Sequence, residues 1–209
     1  MNKMRNFKTQ GIIIKKQSIG EKDYILTLFT PLYGKIQAHA HGAKEISSKF
    51  TGHLDLLNVC DFQLYKSTKT YTITECHLST SFCGFRENLG KFYFASEIAK
   101  LLKPYESEND NCEDIYALLI ETFIALENFN KENLIFEAFK IKLFAMLGIM
   151  PDVYCIEETE FCKNDLRFKK LLKFVLNQPY SEIIRLSLNQ QDADTLETLT
   201  KSLIGYSPI

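Results

Sequence analysis

Residues 23–40 read DYILTLFTPLYGKIQAHA, and both halves of this stretch change character at every second residue on either side of a turn. In the second half Ile36, Ala38 and Ala40 alternate with Lys35, Gln37 and His39, and His41 continues the polar series. A strand sends successive side chains to opposite faces, so this pattern predicts a strand with one apolar face and one cationic face. The first half, Asp23–Thr30, is built of β-branched, aromatic and aliphatic residues. Between the halves, Pro31 presets its own φ and Gly34 is free to take a positive one, which predicts a tight reversal.

Working outward, three more runs have the same composition: Thr9–Lys16 (TQGIIIKK), Leu57–Lys66 (LNVCDFQLYK) and Lys69–Cys76 (KTYTITEC). Gly, Ser, Asn, Asp or Pro bounds each of them. Ser67 and Thr68 leave only a short connection between the last two runs, which predicts an antiparallel hairpin. Five short strands in the first 80 residues is the count of a small closed barrel, for which the OB-fold is the common five-stranded solution.

Past Phe82 the period becomes helical. Leu89, Phe92, Ala95, Ile98, Ala99 and Leu102 recur at spacings of three and four and stop before Pro104. A second helix opens at Asn111–Cys112, and a third runs from about Glu132 to Leu147 with Gly148 placed to end it. Further helical stretches are Asp165–Leu176, Tyr180–Leu188 after Pro179, and Asp192–Ile204 with Asp192 or Asp194 as N-cap. The fold class is therefore α+β. An N-terminal five-stranded OB-fold barrel (residues 1–80) is followed by an all-α helical domain (81–209), joined near residues 78–84 without a flexible linker. The first helix is expected to pack on the barrel.

Bulk properties narrow the function. The 209 residues are 45% hydrophobic and 24% charged, an ordinary globular profile with no run long enough to span a membrane. MNKMRNFKTQ carries charge without an apolar segment behind it, so no export signal is read there. The six cysteines (Cys60, Cys76, Cys83, Cys112, Cys155, Cys162) are then expected to be reduced thiols in a cytoplasm. The net charge of −1 conceals a division: residues 1–91 carry 13 Lys/Arg against 7 Asp/Glu, and residues 92–209 carry 12 against 19. All four histidines (His39, His41, His53, His77) lie in the first part. A front half facing an anion fits this asymmetry.

Motifs for catalysis are missing. There is no Gly-rich phosphate loop, no G-x-G-x-x-G after a strand, no H-E-x-x-H and no G-x-S-x-G. Glu157 and Glu158 sit in a polar stretch with nothing to raise a carboxyl pKa. His39 and His41 share a face but have no nearby ligand partners in sequence, so they read as surface or groove residues. Cys155 and Cys162 are separated by six residues, more than zinc pairs prefer, and no second Cys/His pair follows. No enzyme and no metal cofactor is expected.

The cations are the positive finding. Arg5, Lys8, Lys15, Lys16, Lys35, Lys44 and Lys49 come from the N-terminus, the first strand, the third strand and the loop behind it. A phosphate backbone needs spaced point charges, and bases need flat faces. Phe7, Tyr24, Phe29, Tyr33, Phe50, Phe62, Tyr65 and Tyr71 are the available rings, although most alternating aromatics serve a core. If the strands bring the lysines together they form a nucleic-acid groove; otherwise they are a solvated surface.

Taken in order, the apolar triplet after Gly11, the Gly20-Glu21 pair, Leu26–Thr30, Gly34 before Lys35 and the Gly42-Ala43-Lys44 step resemble the N-terminal signature of the RecO family of DNA repair and recombination mediators. The helix FEAFKIKLFAMLGIMPD (Phe136–Asp152) is similar to that family's helix ending in Leu-Gly before a proline. The resemblance implies a barrel that binds single- and double-stranded DNA and anneals complementary strands. It also implies help in loading recombinase (RecA, indirectly) onto DNA coated by the single-stranded DNA-binding protein (SSB). The implied partners are RecR and the acidic tail of SSB, in a nucleoid-associated cytoplasmic setting. Lys35 and Lys44 match positions where the family carries basic residues, and Lys15, Lys16, Lys49 and Arg5 join them by the groove argument. Lys140 and Lys142 are candidates to grip the acidic tail. Many members carry a four-cysteine zinc module. Here Cys155 matches the first ligand, Glu158 stands at the second and the other pair is missing, so a short variant without zinc is expected. The rival expectation is a protein-interaction scaffold whose basic barrel docks an acidic partner. A small nuclease is the third reading, and it lacks clustered carboxylates for two-metal chemistry.

Overall fold

A computed structural model describes residues 5–50, 52–68, 70–102, 112–150 and 166–206. Five strands, β1 (Arg5–Ile19), β2 (Asp23–Thr30), β3 (Gly34–Ala40), β4 (Val59–Lys66) and β5 (Tyr71–Thr80), close into a barrel in the order β1-β2-β3-β5-β4. This is the OB-fold architecture. All neighbours are antiparallel except β3 and β5.

Closure depends on β1, whose 15 residues serve two partners. Arg5–Ile12 pair with β4 and Ile12–Ile19 pair with β2, so the strand bends where the partners change. Two features make the bend. The register slips between Ile13 and Lys15, a bulge that sharpens local twist. Gly11 lies against β2 so closely that a Cβ there would come within 3.1 Å of Thr30 Cγ2 and 3.3 Å of the Phe29 carbonyl. The turn between β2 and β3 is held by its own residues. Thr30 Oγ1 donates to the Gly34 carbonyl at 3.0 Å and accepts from the Tyr33 amide at 3.2 Å, while Gly34 takes φ 56°.

Inside the barrel Ile13, Leu26, Leu28, Ile36, Ala38, Cys60, Phe62, Leu64 and Ile73 form one core. The connection from β3 to β4 plugs one end of it with Phe50 and Leu54. His53 and Asn58 tie that plug to the wall: the His53 carbonyl accepts from Asn58 Nδ2 at 3.0 Å, and His53 Nδ1 lies 3.1 Å from the Cys76 carbonyl.

Seven helices follow among the described residues: α1 (Gly84–Glu87), α2 (Leu89–Leu101), α3 (Cys112–Asn128), α4 (Glu132–Met146), α5 (Leu166–Asn177), α6 (Tyr180–Ile183) and α7 (Gln190–Tyr206). Their core is continuous with the outside of the barrel, because Ile12, Phe29, Leu57 and Val59 belong to it. Phe82, Phe85 and Phe123 clasp the junction, with Phe123 edge-on to both other rings at 5.4 Å. Tyr116 of α3 stacks over Phe29 at 6.5 Å and donates to Gln10 Oε1 at 3.1 Å. The expected packing of helix on barrel is present, shared between α2 and α3.

Some helix limits differ from the sequence expectation. The last helix starts two residues earlier than Asp192, and its cap is Asn189, whose Oδ1 accepts from the Asp192 amide at 2.7 Å. Tyr180–Leu188 yields only the single turn of α6, because Leu186 and Leu188 turn in to pack beside the helical core. Gly148 does end α4, at φ 67°, donating to the Ala145 carbonyl at 3.1 Å. Cys155, Cys162, Glu157 and Glu158 lie outside the described residues.

Candidate nucleic-acid interface

Pairing registers decide which side of the barrel each cation occupies. On the outer face of β1, β2 and β3, one row reads Lys15–Thr27–Gln37 and the next Gln17–Ile25–His39. A third row, Ile12–Phe29–Lys35, sets Lys35 beside the ring that the helices cover. None of these nine positions is a carboxylate. Beyond them the His39 and His41 rings stack at 5.8 Å, and His41 Nδ1 lies 2.9 Å from Asp23 Oδ2. The Gly42 amide donates to Asp23 Oδ1 at 2.8 Å. That amide, with His41 next, holds the Asp23 carboxyl below the usual carboxylate range.

The outer face of the other half is different. Lys8, Gln10, Asp61, Gln63, Glu75 and His77 line a hollow of about 350 Å³ on β1, β4 and β5. Two carboxylates among these groups leave the hollow with mixed charge, unsuited to a phosphate track.

Lys16 is one residue from Lys15 and on the other side of the sheet. It pairs with Leu26, an inward residue, and so emerges at the rim of the plugged barrel end. There its Nζ lies 4.5 Å from the centre of the Tyr24 ring and 3.4 Å from Asp55 Oδ1. Lys44, carried round by the turn at Gly42, reaches the same ring at 5.2 Å and donates to the Gly20 carbonyl at 2.8 Å. These two lysines, Tyr24, Ile46, Phe50, Glu45 and Asp55 belong to the lining of a cleft of about 500 Å³. Each acid at the rim has a basic partner: Glu45 with Lys22 at 2.8 Å, and Asp55 with Lys16 and, at 3.1 Å, Arg86.

The fold thus distributes the sequence candidates over two adjoining surfaces. Lys15 and Lys35 stand on the outer strip, and Lys16 and Lys44 at the rim. Lys49 lies further along the plug, its ammonium bonded to the Thr74 carbonyl and 5.3 Å from the Phe50 ring. Arg5 pairs with Lys66 at the other end of β1, eleven residues from Lys16 and on the far side of the bend. Two further residues escaped the sequence reading: Lys22, for which a turn gave no periodic signal, and Arg86, which belongs to a helix. Of the rings named from sequence, Phe29 and Phe62 are fully enclosed, whereas Tyr24 is half-buried at the rim.

The helical candidates separate too. Lys140 is buried, 2.7 Å from Glu137 Oε1, and Thr200 donates to the other oxygen of that carboxylate at 2.6 Å. It is a structural ion pair with no surface to offer an acidic tail. Lys142 donates to the Gln178 carbonyl at 2.8 Å and packs 5.5 Å from the Tyr180 ring, where desolvation lowers its pKa. Among the described residues no cluster of three or more His, Cys, Asp or Glu is arranged to hold a metal, and no helix is long and apolar enough to cross a membrane.

Comparison with known proteins bears directly on this barrel. The family model described as "Recombination protein O N terminal" matches residues 4–82, the span of the five strands. A DNA repair protein RecO of Caldanaerobacter subterraneus subsp. tengcongensis is 30% identical over 226 residues, covering 93% of this chain and 91% of the relative. The chain belongs to the RecO family. Two other RecO proteins are similar as well. That of Thermoanaerobacter sp. (strain X514) is 34% identical over 151 residues, 72% of this chain and 61% of its own length. That of Dehalococcoides mccartyi strain BAV1 is 28% identical over 236 residues, 99% and 92% of the two chains. RecO membership gives the chain a role in DNA repair and recombination.

Proposed function

We propose that this protein is a non-catalytic recombination mediator. In this reading residues 1–80 hold single- or double-stranded DNA, and residues 81–209 face protein partners. It works by neutralising charge: two strands held on one cationic surface repel each other less, so their bases can test for pairing. The same surface would take single strands from SSB and prepare them for recombinase loading, with RecR as a co-factor protein, in the cytoplasm. The observation that carries the reading is the contrast between the two outer faces of the barrel. In three rows the β1-β2-β3 face presents Lys15, Lys35 and His39 without a carboxylate, Asp23 lying one row further and held by the Gly42 amide and His41, whereas the β4-β5 face interposes Asp61 and Glu75. A polyanion discriminates between such faces because each neutralised phosphate releases counterions.

A mobility shift with purified protein and an unstructured oligonucleotide tests the proposal. A shift at low micromolar protein, lost when Lys15 and Lys35 are both changed to Glu, supports it. A scaffold that only docks an acidic protein would leave the oligonucleotide unshifted.

A further inference from the structure

The cleft at the plugged barrel end has two features that a phosphate track does not need. Ile46 is fully exposed at the tip of the turn following β3, at 102% of its reference area. An isoleucine so placed gains nothing from burial, yet the turn beneath it is firmly bonded. The Lys44 amide donates to the Lys22 carbonyl at 2.9 Å, the Glu45 amide to Gly42 at 3.2 Å and the Ser48 amide to Glu45 at 2.9 Å. The Lys22–Glu45 ion pair braces the same turn. The second feature is Tyr24, whose half-buried ring sits below two ammonium groups that are anchored differently. Lys44 is fixed on the Gly20 carbonyl at 2.8 Å, while Lys16, besides its place over the ring, has the longer 3.4 Å contact to Asp55. Asp55 keeps Arg86 if Lys16 leaves, so uncovering the ring strands no charge.

We propose that this cleft seats one nucleobase of a single strand, with the base on the Tyr24 ring, Ile46 against its free edge, and its phosphate on Lys16 and Lys44. The inference rests on the DNA-binding reading and extends it from the outer strip to the rim. A strand following β3 passes Lys35, Gln37 and His39, then meets the rim at His41 and Lys44. Lys16 moves from Asp55 to the phosphate, and the ring it leaves takes the base. Stacking of this kind is indifferent to base identity, so the site selects single strands and no sequence. An apolar tip beside the ring keeps the seated base apart from its neighbour in the strand.

The test compares a homothymidine oligonucleotide with the same strand made of abasic sites, using fluorescence anisotropy on the full chain. The wild type is expected to prefer the base-bearing strand by about tenfold. Tyr24→Leu, which preserves an apolar plug, and Ile46→Ser, which changes only an exposed tip, should each erase most of that preference while abasic binding is retained. In parallel, a 5-iodouracil strand should photocross-link to the peptide containing Tyr24. Equal affinity for both strands, or cross-links confined to other peptides, overturns the base seat while DNA binding stands. Failure of the wild type to bind either strand overturns the DNA-binding reading and the seat with it.

Discussion

Asp23 accepts from the Gly42 amide through one carboxylate oxygen and from the side of His41 through the other, at 2.8 and 2.9 Å. This contact closes the end of β3 on the start of β2, and it fixes where the chain turns from the outer strip to the rim. Its pH dependence follows from the lowered pKa of Asp23. A carboxyl depressed in the folded state stabilises above its unfolded value, near 3.9, and loses that contribution as pH falls through the lower folded value. Urea midpoints of the wild type and Asp23→Asn should differ above about pH 5 and converge progressively as pH falls below about 4. A difference that persists unchanged at low pH would mean the carboxylate charge is not what holds the turn.

Phe123 is fully buried and touches Phe82 and Phe85 edge-on. Phe123→Ala should cost about 3–5 kcal/mol by chemical denaturation, combining lost transfer energy with the cavity left between barrel and helices. A loss under about 1 kcal/mol would show that this junction collapses readily.

The Glu137–Lys140 pair gives a sign that composition alone would not. Both side chains are nearly inaccessible, and Thr200 completes the carboxylate. Glu137→Ala strands a buried ammonium and should destabilise by about 3–5 kcal/mol, whereas Glu137→Met with Lys140→Met should recover most of that loss. Equal instability of the single and double variants would contradict the ion-pair account.

Thiol reactivity separates the cysteines. Cys83 is exposed, and Cys60 is buried beside Cys76, whose contact, together with burial, pushes the Cys60 thiol well up. Alkylation at pH 8 followed by peptide mapping should modify Cys83 within minutes and leave Cys60 intact until denaturant is added. Rapid native labelling of Cys60 would show that the plug opens.

Much of this was legible in the sequence where the physics is local. The alternation in Gly34–Ala40, the turn at Pro31–Gly34, the β4–β5 hairpin and the glycine stop of α4 all depend on neighbouring residues, and each stands as read. Nonlocal features were hidden. In GIIIKK the bulge after Ile13 flips the facing of every later residue, so no periodicity assigns Lys15 outward and Lys16 to the rim. Ile12 and Phe29 alternate as outward residues yet are buried, because helices cover them from far along the chain. Burial likewise withdraws Lys140, which reads in sequence as one more helical cation. The two-surface arrangement of the cations, and the pairing of each rim acid, come from the fold.

Whether the carboxylate-poor strip and the adjoining rim carry DNA is settled by the salt dependence of oligonucleotide affinity. Log affinity of the wild type should fall linearly with log salt, and replacing Lys15, Lys35 and Lys44 with Gln should make that slope shallower by about 2, near 0.7 per lost phosphate contact. An unchanged slope in the triple variant, with the slope reduced instead by Lys8→Gln on the mixed-charge face, would contradict the assignment.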